Sequence, residues 1–441
     1  MSTLFDLARK TAEDAQRRGA NEVSVSVSRS SELSLVRRAG KLETATQATS
    51  RGLSLSLLVD DRFSVHSTSD LRTEAVSEFL DRAIAATRVL EPEVERRQPD
   101  AALCGRGVEE SQLDAKDDGY AALPVEARRE AARSLEATVD ALPDRKKILS
   151  ATVYVGDSAD ESVRVMSNGF EGTRSTTGFG AGVEMTLEEP GGRRPEAMSW
   201  YSALHRGDLP SNEAIAEEAW RKVQERLASK SLPSGQYPML LQNHCAGRIL
   251  GVIGGPLSGS ELHQQRSFLA GRIGTSIANS ALTIVDDPTI RRGLGSRPWD
   301  GDGLRAHAMP VIDAGVLKNY YISTYYGRKL GMPATTGGRS NWVVSPGTRA
   351  PAAILKDVSK CIVVTGFLGG NSNGLTGDFS FGIQGLLMEN GEVTAHVSEM
   401  NVSGNIEQVL GHLVEPANDV WSWSSLRSPS LFFDDVSFSG T

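Results

Sequence analysis

The sequence predicts an α+β fold: an N-terminal helix and antiparallel-strand domain in two parts, then a C-terminal β-rich, barrel-like domain. Three observations carry this reading. Val23, Val25 and Val27 alternate strictly with Ser24, Ser26 and Ser28, the mark of a strand with one buried face. Leu4, Leu7, Ala8, Ala12 and Ala15 repeat at helical spacing, as do Val76, Phe79, Leu80, Ala83 and Ile84. From residue 239 onward glycine is dense and short apolar runs recur between turns, which favours a closed or strongly bent β architecture.

Taken in order, the first helix closes at Gly19, and EVSVSVSR is the first strand. Short strands follow around Gly40, then a hairpin turning at Asp60-Asp61, then a helix that Asp70 can cap. Residues 1–90 thus form an N-terminal α+β domain. Residues 91–120 are polar and broken by prolines and glycines, and read as a linker crossing the surface. Residues 121–230 form a central α+β domain: a helix at 125–141, strands with turns at Asp157, Asn168-Gly169 and Gly178, and a helix at 211–229. The third domain, 239–441, is β-rich, with helical stretches after Cys245, near 320–330 and near 405–412.

Composition excludes several classes. The 441 residues are 39% apolar and 23% charged with a net charge of −8, so clustered basic surface for nucleic acid or anionic membrane is not expected. No apolar run approaches the roughly 18 residues that span a bilayer, and the first residues lack the pattern of a signal peptide. Cys104, Cys245 and Cys361 are too few and too scattered for a disulfide framework. A cytoplasmic location is expected.

Candidate chemistry is thin. None of the seven histidines sits in a paired-ligand spacing. His244 and Cys245 are adjacent, and neighbours on a helix point about 100° apart, so they do not readily grip one ion. Cys245 reads as a small buried apolar group and His244 as a surface or cleft histidine. His412 and Glu415 read as a one-turn helical pair. Asp286-Asp287 and Asp434-Asp435 read as solvated turn acids. The run Gly369-Gly370-Asn371-Ser372-Asn373-Gly374 has no helix after it and reads as a strand-connecting loop rather than a phosphate cradle.

Several linked segments then resemble a known family. LTIVDDPTIRRGLGSRPWDGDGLRAHAMPVIDAGVLKNYYISTYYGRKLGMPATT, GGRSNWVVSPG and LTGDFSFGIQGLLMENGEVTAHVSEMNVSGN are similar to the signature stretches of the TldD/PmbA family, once called modulators of DNA gyrase. The order of NEVSVSVS, GLSLSLLVDD and STSDL fits as well, so the likeness covers nearly the whole chain.

That resemblance implies two subunit types. TldD-type subunits carry H-E-x-x-x-H on a helix and a distant cysteine, and bind zinc; PmbA/TldE-type subunits lack these ligands. Aligning the glycines after the motif puts Gln242 and Asn243 at the His-Glu positions and Gly247 at the second histidine. After residues 417–419 the chain runs VWSWSSLRSPSLFF, where the zinc-binding type has its cysteine. The resemblance therefore implies a PmbA/TldE-like subunit with no metal of its own and no catalytic residue. Its implied partner is a TldD-like zinc peptidase, the pair forming a heterodimer acting on unfolded peptides or a peptide or natural-product precursor. Gln242, Asn243, His244, Asn341 and Trp342 are the candidates to face the shared substrate cavity. Two rivals stand beside it: a hydrolase in its own right with a non-standard site, and a homo-oligomeric binding protein.

Overall fold

The computed structural model describes residues 2–441, with side chains from Leu4 onward. Helix α1 (Ser2–Arg17) leads into β1 (Glu22–Arg38), β2 (Lys41–Val59) and β3 (Arg62–Thr68), followed by α2 (Thr73–Thr87). After the one-turn α3 (Glu110–Leu113) come α4 (Val125–Asp140), β4 (Ile148–Met166), β5 (Glu171–Leu187), β6 (Glu196–Ala203) and α5 (Asn212–Gln224). All six strands make one antiparallel sheet in the order β3-β2-β1-β4-β5-β6. The β1–β4 pairing, from Ser24–Met166 to Arg38–Thr152, joins the halves that the sequence assigns to two domains.

The valine–serine alternation lands as its period demands. Val23, Val25 and Val27 are fully buried with Leu53, Leu55 and Leu57 of β2 under Ala8, Ala12 and Ala15 of α1 and Leu80 and Ile84 of α2. Val153, Val183 and Met185 pack the same way beneath Leu135 and Val139 of α4 and Ile215, Ala219 and Val223 of α5. Ser211 caps α5 by accepting from the Ala214 amide at 3.2 Å. Asp70 caps nothing: α2 starts three residues later, and Asp70 instead binds the Arg72 amide and guanidinium.

The expected short strands and turns at Asp157 and Gly178 are corrected by the structure. β1 and β2 run 17 and 19 residues on either side of Gly40, and β4 and β5 run 19 and 17 straight through Asp157 and Gly178. Asp157 holds mid-strand because its carboxylate accepts a two-pronged bond from Arg128 of α4, at 2.7 and 3.0 Å. The glycines of β5 serve close approach instead of turning: a Cβ on Gly180 would stand 2.4 Å from the Trp200 ring of β6, so the bare backbone is what lets the indole lie flat.

Residues 91–120 are a strap between the sheet and the last domain. The Glu93 amide donates to the Asp61 carbonyl at 2.7 Å, Gly105 to Gly303 at 3.1 Å and Gly107 to Pro298 at 2.8 Å.

The C-terminal part comprises β7 (Gly235–Leu241), α6 (Ala246–Gly254), α7 (Gly259–His263), β8 (Ile284–Asp286), β9 (Met309–Asp313), β10 (Val316–Leu317), α8 (Thr324–Leu330), β11 (Trp342–Val344) and α9 (Pro351–Lys356). It continues with β12 (Lys360–Phe367), β13 (Asn371–Ser372), β14 (Asp378–Glu389), β15 (Glu392–Asn405), α10 (Ile406–Gly411), β16 (Leu413–Pro416), β17 (Leu426–Arg427) and β18 (Leu431–Ser439). Strands β12, β7, β18, β15 and β14 pair in sequence, and β14 pairs back to β12, closing a five-stranded barrel. Met239, Leu241, Ile362, Val364, Ile383 and Phe433 form its core with Ile249, Leu250 and Ile253 of α6. A second sheet, β10-β9-β8-β11-β17, packs on the same core.

Two polar expectations change here. Asp286 is buried, not a solvated turn acid, because Tyr321 donates to it at 2.5 Å and the Ser340 amide at 3.0 Å. His412 and Glu415 are not a helical pair: α10 ends before them, and His412 meets Asp434 at 3.0 Å while Glu415 accepts from Arg349 at 2.9 Å.

The Arg128–Asp157 pair is almost wholly out of water, so removing one partner strands the other. Asp157→Ala should lower unfolding free energy by about 3–5 kcal/mol in urea titrations, far more than loss of an exposed pair such as Arg72–Asp70.

Candidate functional site

β7 ends at Leu241, inside the barrel wall, and the chain turns at Gln242 into a single 3-10 turn, Asn243–Cys245, before α6. The Gln242 amide donates to the Val364 carbonyl of β12 at 3.1 Å, and the Cys245 amide to the Gln242 carbonyl at 2.8 Å. This fixes Gln242, Asn243 and His244 at one end of an open cleft of roughly 450 Å³ between the barrel and the α5–β6 edge of the large sheet. The floor is Leu240, Val363, Leu386 and Met388; Tyr201 of β6, Glu218 and Arg221 of α5, and Trp421 supply the opposite wall.

Each of the three candidate residues is held differently. Asn243 donates through Nδ2 to the Asp419 carbonyl at 2.6 Å and to the Asp419 carboxylate at 3.2 Å. Its Oδ1 accepts from the His244 amide at 2.7 Å. Asp419 is fixed in turn by the Ser430 amide and hydroxyl at 2.9 and 2.8 Å. His244 Nε2 lies 3.2 Å from the Thr365 carbonyl, a contact in which only the ring nitrogen can donate, so that tautomer is set. Gln242 Oε1 is buried and has no hydrogen-bond partner among the described residues.

Burial lowers the His244 pKa to about 4, and the cations Lys222 and Arg221 push the same way against the Thr365 bond. Burial raises the Cys245 thiol to about 12, so it stays protonated in the apolar core. A neutral imidazole aimed at a carbonyl beside an inert thiol is not a nucleophilic pair. On α5, Arg221 bonds Glu218 at 2.8 Å and also Glu225, whose pKa burial raises.

Asn341 and Trp342 do not line this cleft. Asn341 is fully buried, donates to the Asp287 carbonyl at 2.8 Å and the Ser296 hydroxyl at 2.9 Å, and accepts from the Gly295 amide at 2.8 Å. Trp342 donates at 2.5 Å to Tyr321, itself bound to Asp286. Both knit the small sheet together. Sequence reasoning missed Tyr201, Arg221, Asp419, Trp421 and Ser430. Only the W-S-W spacing at 421–423 hinted at a role: Trp421 and Trp423 clasp Tyr201, with ring centroids 5.2 and 5.0 Å away.

A zinc site does not fit these side chains. Two amides and Gly247 offer no strong donor, and among the described residues no three His, Cys, Asp or Glu side chains converge to hold a metal. No helix among them is long and apolar enough to cross a membrane.

Comparison with known proteins places this architecture. A family model of the PmbA/TldA metallopeptidase C-terminal domain matches residues 234–440, and models of domain 1 and the central domain match 23–87 and 119–227. The metalloprotease PmbA homolog of Haemophilus influenzae is 26% identical, over 100% of this chain and 95% of its own length. The metalloprotease PmbA of Escherichia coli O157:H7 is 25% identical over the same shares. A Bacteroides thetaiotaomicron crystal structure, described as a candidate modulator of DNA gyrase, is 35% identical with a TM-score of 0.94, covering 99% of this chain and 98% of that one. TldE from Thermococcus kodakarensis shares the fold, at 18% identity and a TM-score of 0.84, over 98% of this chain and 100% of its own. The mixed α/β fold and the closed barrel define a metallopeptidase-family architecture, and the chain belongs to the PmbA/TldD family.

The depressed His244 pKa sets a pH dependence. An unfolded histidine takes up a proton near pH 6.5, whereas folded His244 waits until about 4, so its contribution to stability falls as pH drops through that window and is level below it. His244→Gln should remove this part of the acid loss, on the order of 2–3 kcal/mol, when urea midpoints at pH 7 and 4.5 are compared with the unsubstituted protein.

Proposed function

We propose that this chain is a PmbA/TldE-like subunit that carries no zinc of its own and pairs with a TldD-like zinc peptidase to complete a cavity for unfolded peptides or a peptide or natural-product precursor. The observation that carries the reading is Asn243. At the position where the zinc-binding type has its catalytic glutamate stands a carboxamide, and its nitrogen is tied to Asp419. A carboxamide takes no proton from water, its nitrogen offers no lone pair to a metal, and its weak-donor oxygen is engaged by the His244 amide, so general-base work is closed to it and zinc ligation disfavoured.

The cleft suits substrate docking. Its apolar floor and aromatic wall would seat side chains, while β6, which carries Tyr201, pairs only with β5 and leaves its outer backbone edge open among the described residues. An extended chain laid on that edge would gain main-chain hydrogen bonds that are indifferent to sequence, as an enzyme for unfolded chains requires. The shared fold with a protein named TldE supports the partner-subunit role.

The test is metal analysis and peptide cleavage with the chain alone, with a partner carrying H-E-x-x-x-H, and with both. Zinc should follow the partner, and cleavage of an unfolded peptide should need the two together. Stoichiometric zinc on the lone chain, or full cleavage by it, would refute the proposal.

A further inference from the structure

The large sheet has a second face, opposite its helices, and part of it is roofed by the C-terminal domain. Glu22, Ser24, Ser56, Phe63, Arg164 and Met166 form the floor of a half-open cleft of roughly 140 Å³. Residues 96–99, Gly301, Asp302, Thr324 and Tyr325 close over it.

Two charges in this cleft lack an ionic partner. Arg164 of β4 donates through Nε to the Ser26 hydroxyl at 3.0 Å and through Nη1 to the Gly301 carbonyl, but no carboxylate oxygen lies within 4.0 Å among the described residues. Glu22 at the start of β1 accepts from the Gln98 amide at 2.5 Å and has no cation within 4.0 Å among the described residues, Arg97 acting on it from farther off. The other charged groups are engaged. Arg97 binds Asp61 at 2.8 Å; Arg96 lies 3.4 Å over the Tyr325 ring and binds Glu93; Asp302 accepts from the Thr324 amide and hydroxyl at 2.7 and 2.8 Å. Burial lowers the Arg164 pKa, while the Asp302 and Asp300 carboxylates, beyond ion-pair distance, pull it the other way; the guanidinium also lies 5.3 Å from the Trp299 ring centroid.

The spacing of the two free charges selects the ligand. Arg164 pairs across from Ser26, four residues along β1 from Glu22, which is about 13 Å of strand. Each extended peptide residue spans about 3.5 Å, and the two long side chains cover part of the distance. A free amino acid is too short to meet both groups, and a di- or tripeptide is long enough. We propose that this cleft binds a di- or tripeptide, its terminal carboxylate on Arg164 and its terminal ammonium on Glu22. The Ser24 and Ser56 hydroxyls face the peptide units, and Phe63 and Met166 take an apolar side chain. The planar fork of Arg164, with an Nη2 not spent on other protein groups, is the geometry that grips a carboxylate with two bonds. This site needs neither zinc nor a second subunit, so it stands apart from the partner-subunit proposal.

Calorimetric titration of the full chain with alanyl-leucine tests it, against N-acetyl-alanyl-leucinamide and inorganic phosphate. Alanyl-leucine should bind saturably with a Kd of roughly 0.1–1 mM, and the blocked peptide and phosphate at least about tenfold more weakly. Glu22→Gln and Arg164→Gln should each weaken the dipeptide by about tenfold or more, with folding checked by thermal melts. No saturation by about 10 mM, equal binding of the blocked peptide or of phosphate, or full binding by Glu22→Gln would overturn the proposal. So would an Arg164→Gln protein that melts earlier yet binds as before, since Arg164 would then be only a bolt between β4 and Gly301.

Discussion

The long antiparallel ladder between β1 and β4 is the constraint on which the molecule hangs. After β3 the chain departs for about 80 residues and returns to pair β4 with β1 from Met166 to Thr152. That single pairing turns two three-stranded units, each with its own pair of helices, into one six-stranded sheet. It lines up Val23, Val25 and Val27 with Val163 and Val165, so that helices from both halves share one covered face. It also leaves the other face for the C-terminal domain, and the strap at 91–120 stitches the two together along that side.

The barrel imposes the second constraint. β7 lies between β12 and β18, and the β14–β12 pairing fixes β12 on its other side, so β7 ends at a defined place and the turn at Gln242 cannot wander. A cleft between the barrel and α5 follows from that closure. The turn presents an amide with an orphaned oxygen, an amide bound to an aspartate, and a neutral imidazole. The polar groups at this end are arranged to hold the backbone and shape a wall.

Much of this was legible beforehand, and particular residues show why. The alternation in β1, the Ser211 start of α5, and the helices after Cys245, near 320–330 and near 405–412 are set by local periodicity, and all are present. Asp157 misled because an acid between apolar runs is ordinarily a turn; it stays in the strand only because Arg128 arrives from a helix 29 residues earlier. Gly178 misled likewise: it stands mid-strand opposite Ser158 of β4, whose hydroxyl would lie 2.9 Å from an added Cβ, a neighbour that no local pattern records. Asn341 and Trp342 stand in a segment similar to the family signature, and they support the small sheet's interior instead of the cleft.

The sequence by itself determined the periodic faces of strands and helices, the membership of a family, and the amides and glycine at 242, 243 and 247. Those are properties of neighbouring residues, governed by backbone geometry and by which side chains prefer to leave water. Only the tertiary structure decided what each lone polar group does. Asn243 is quiet because of Asp419, Asp286 is buried because of Tyr321, and Arg164 faces a cleft because a distant loop roofs it. A polar side chain out of water takes its role from its partner, and these partners lie far off in the chain, where no local pattern records them.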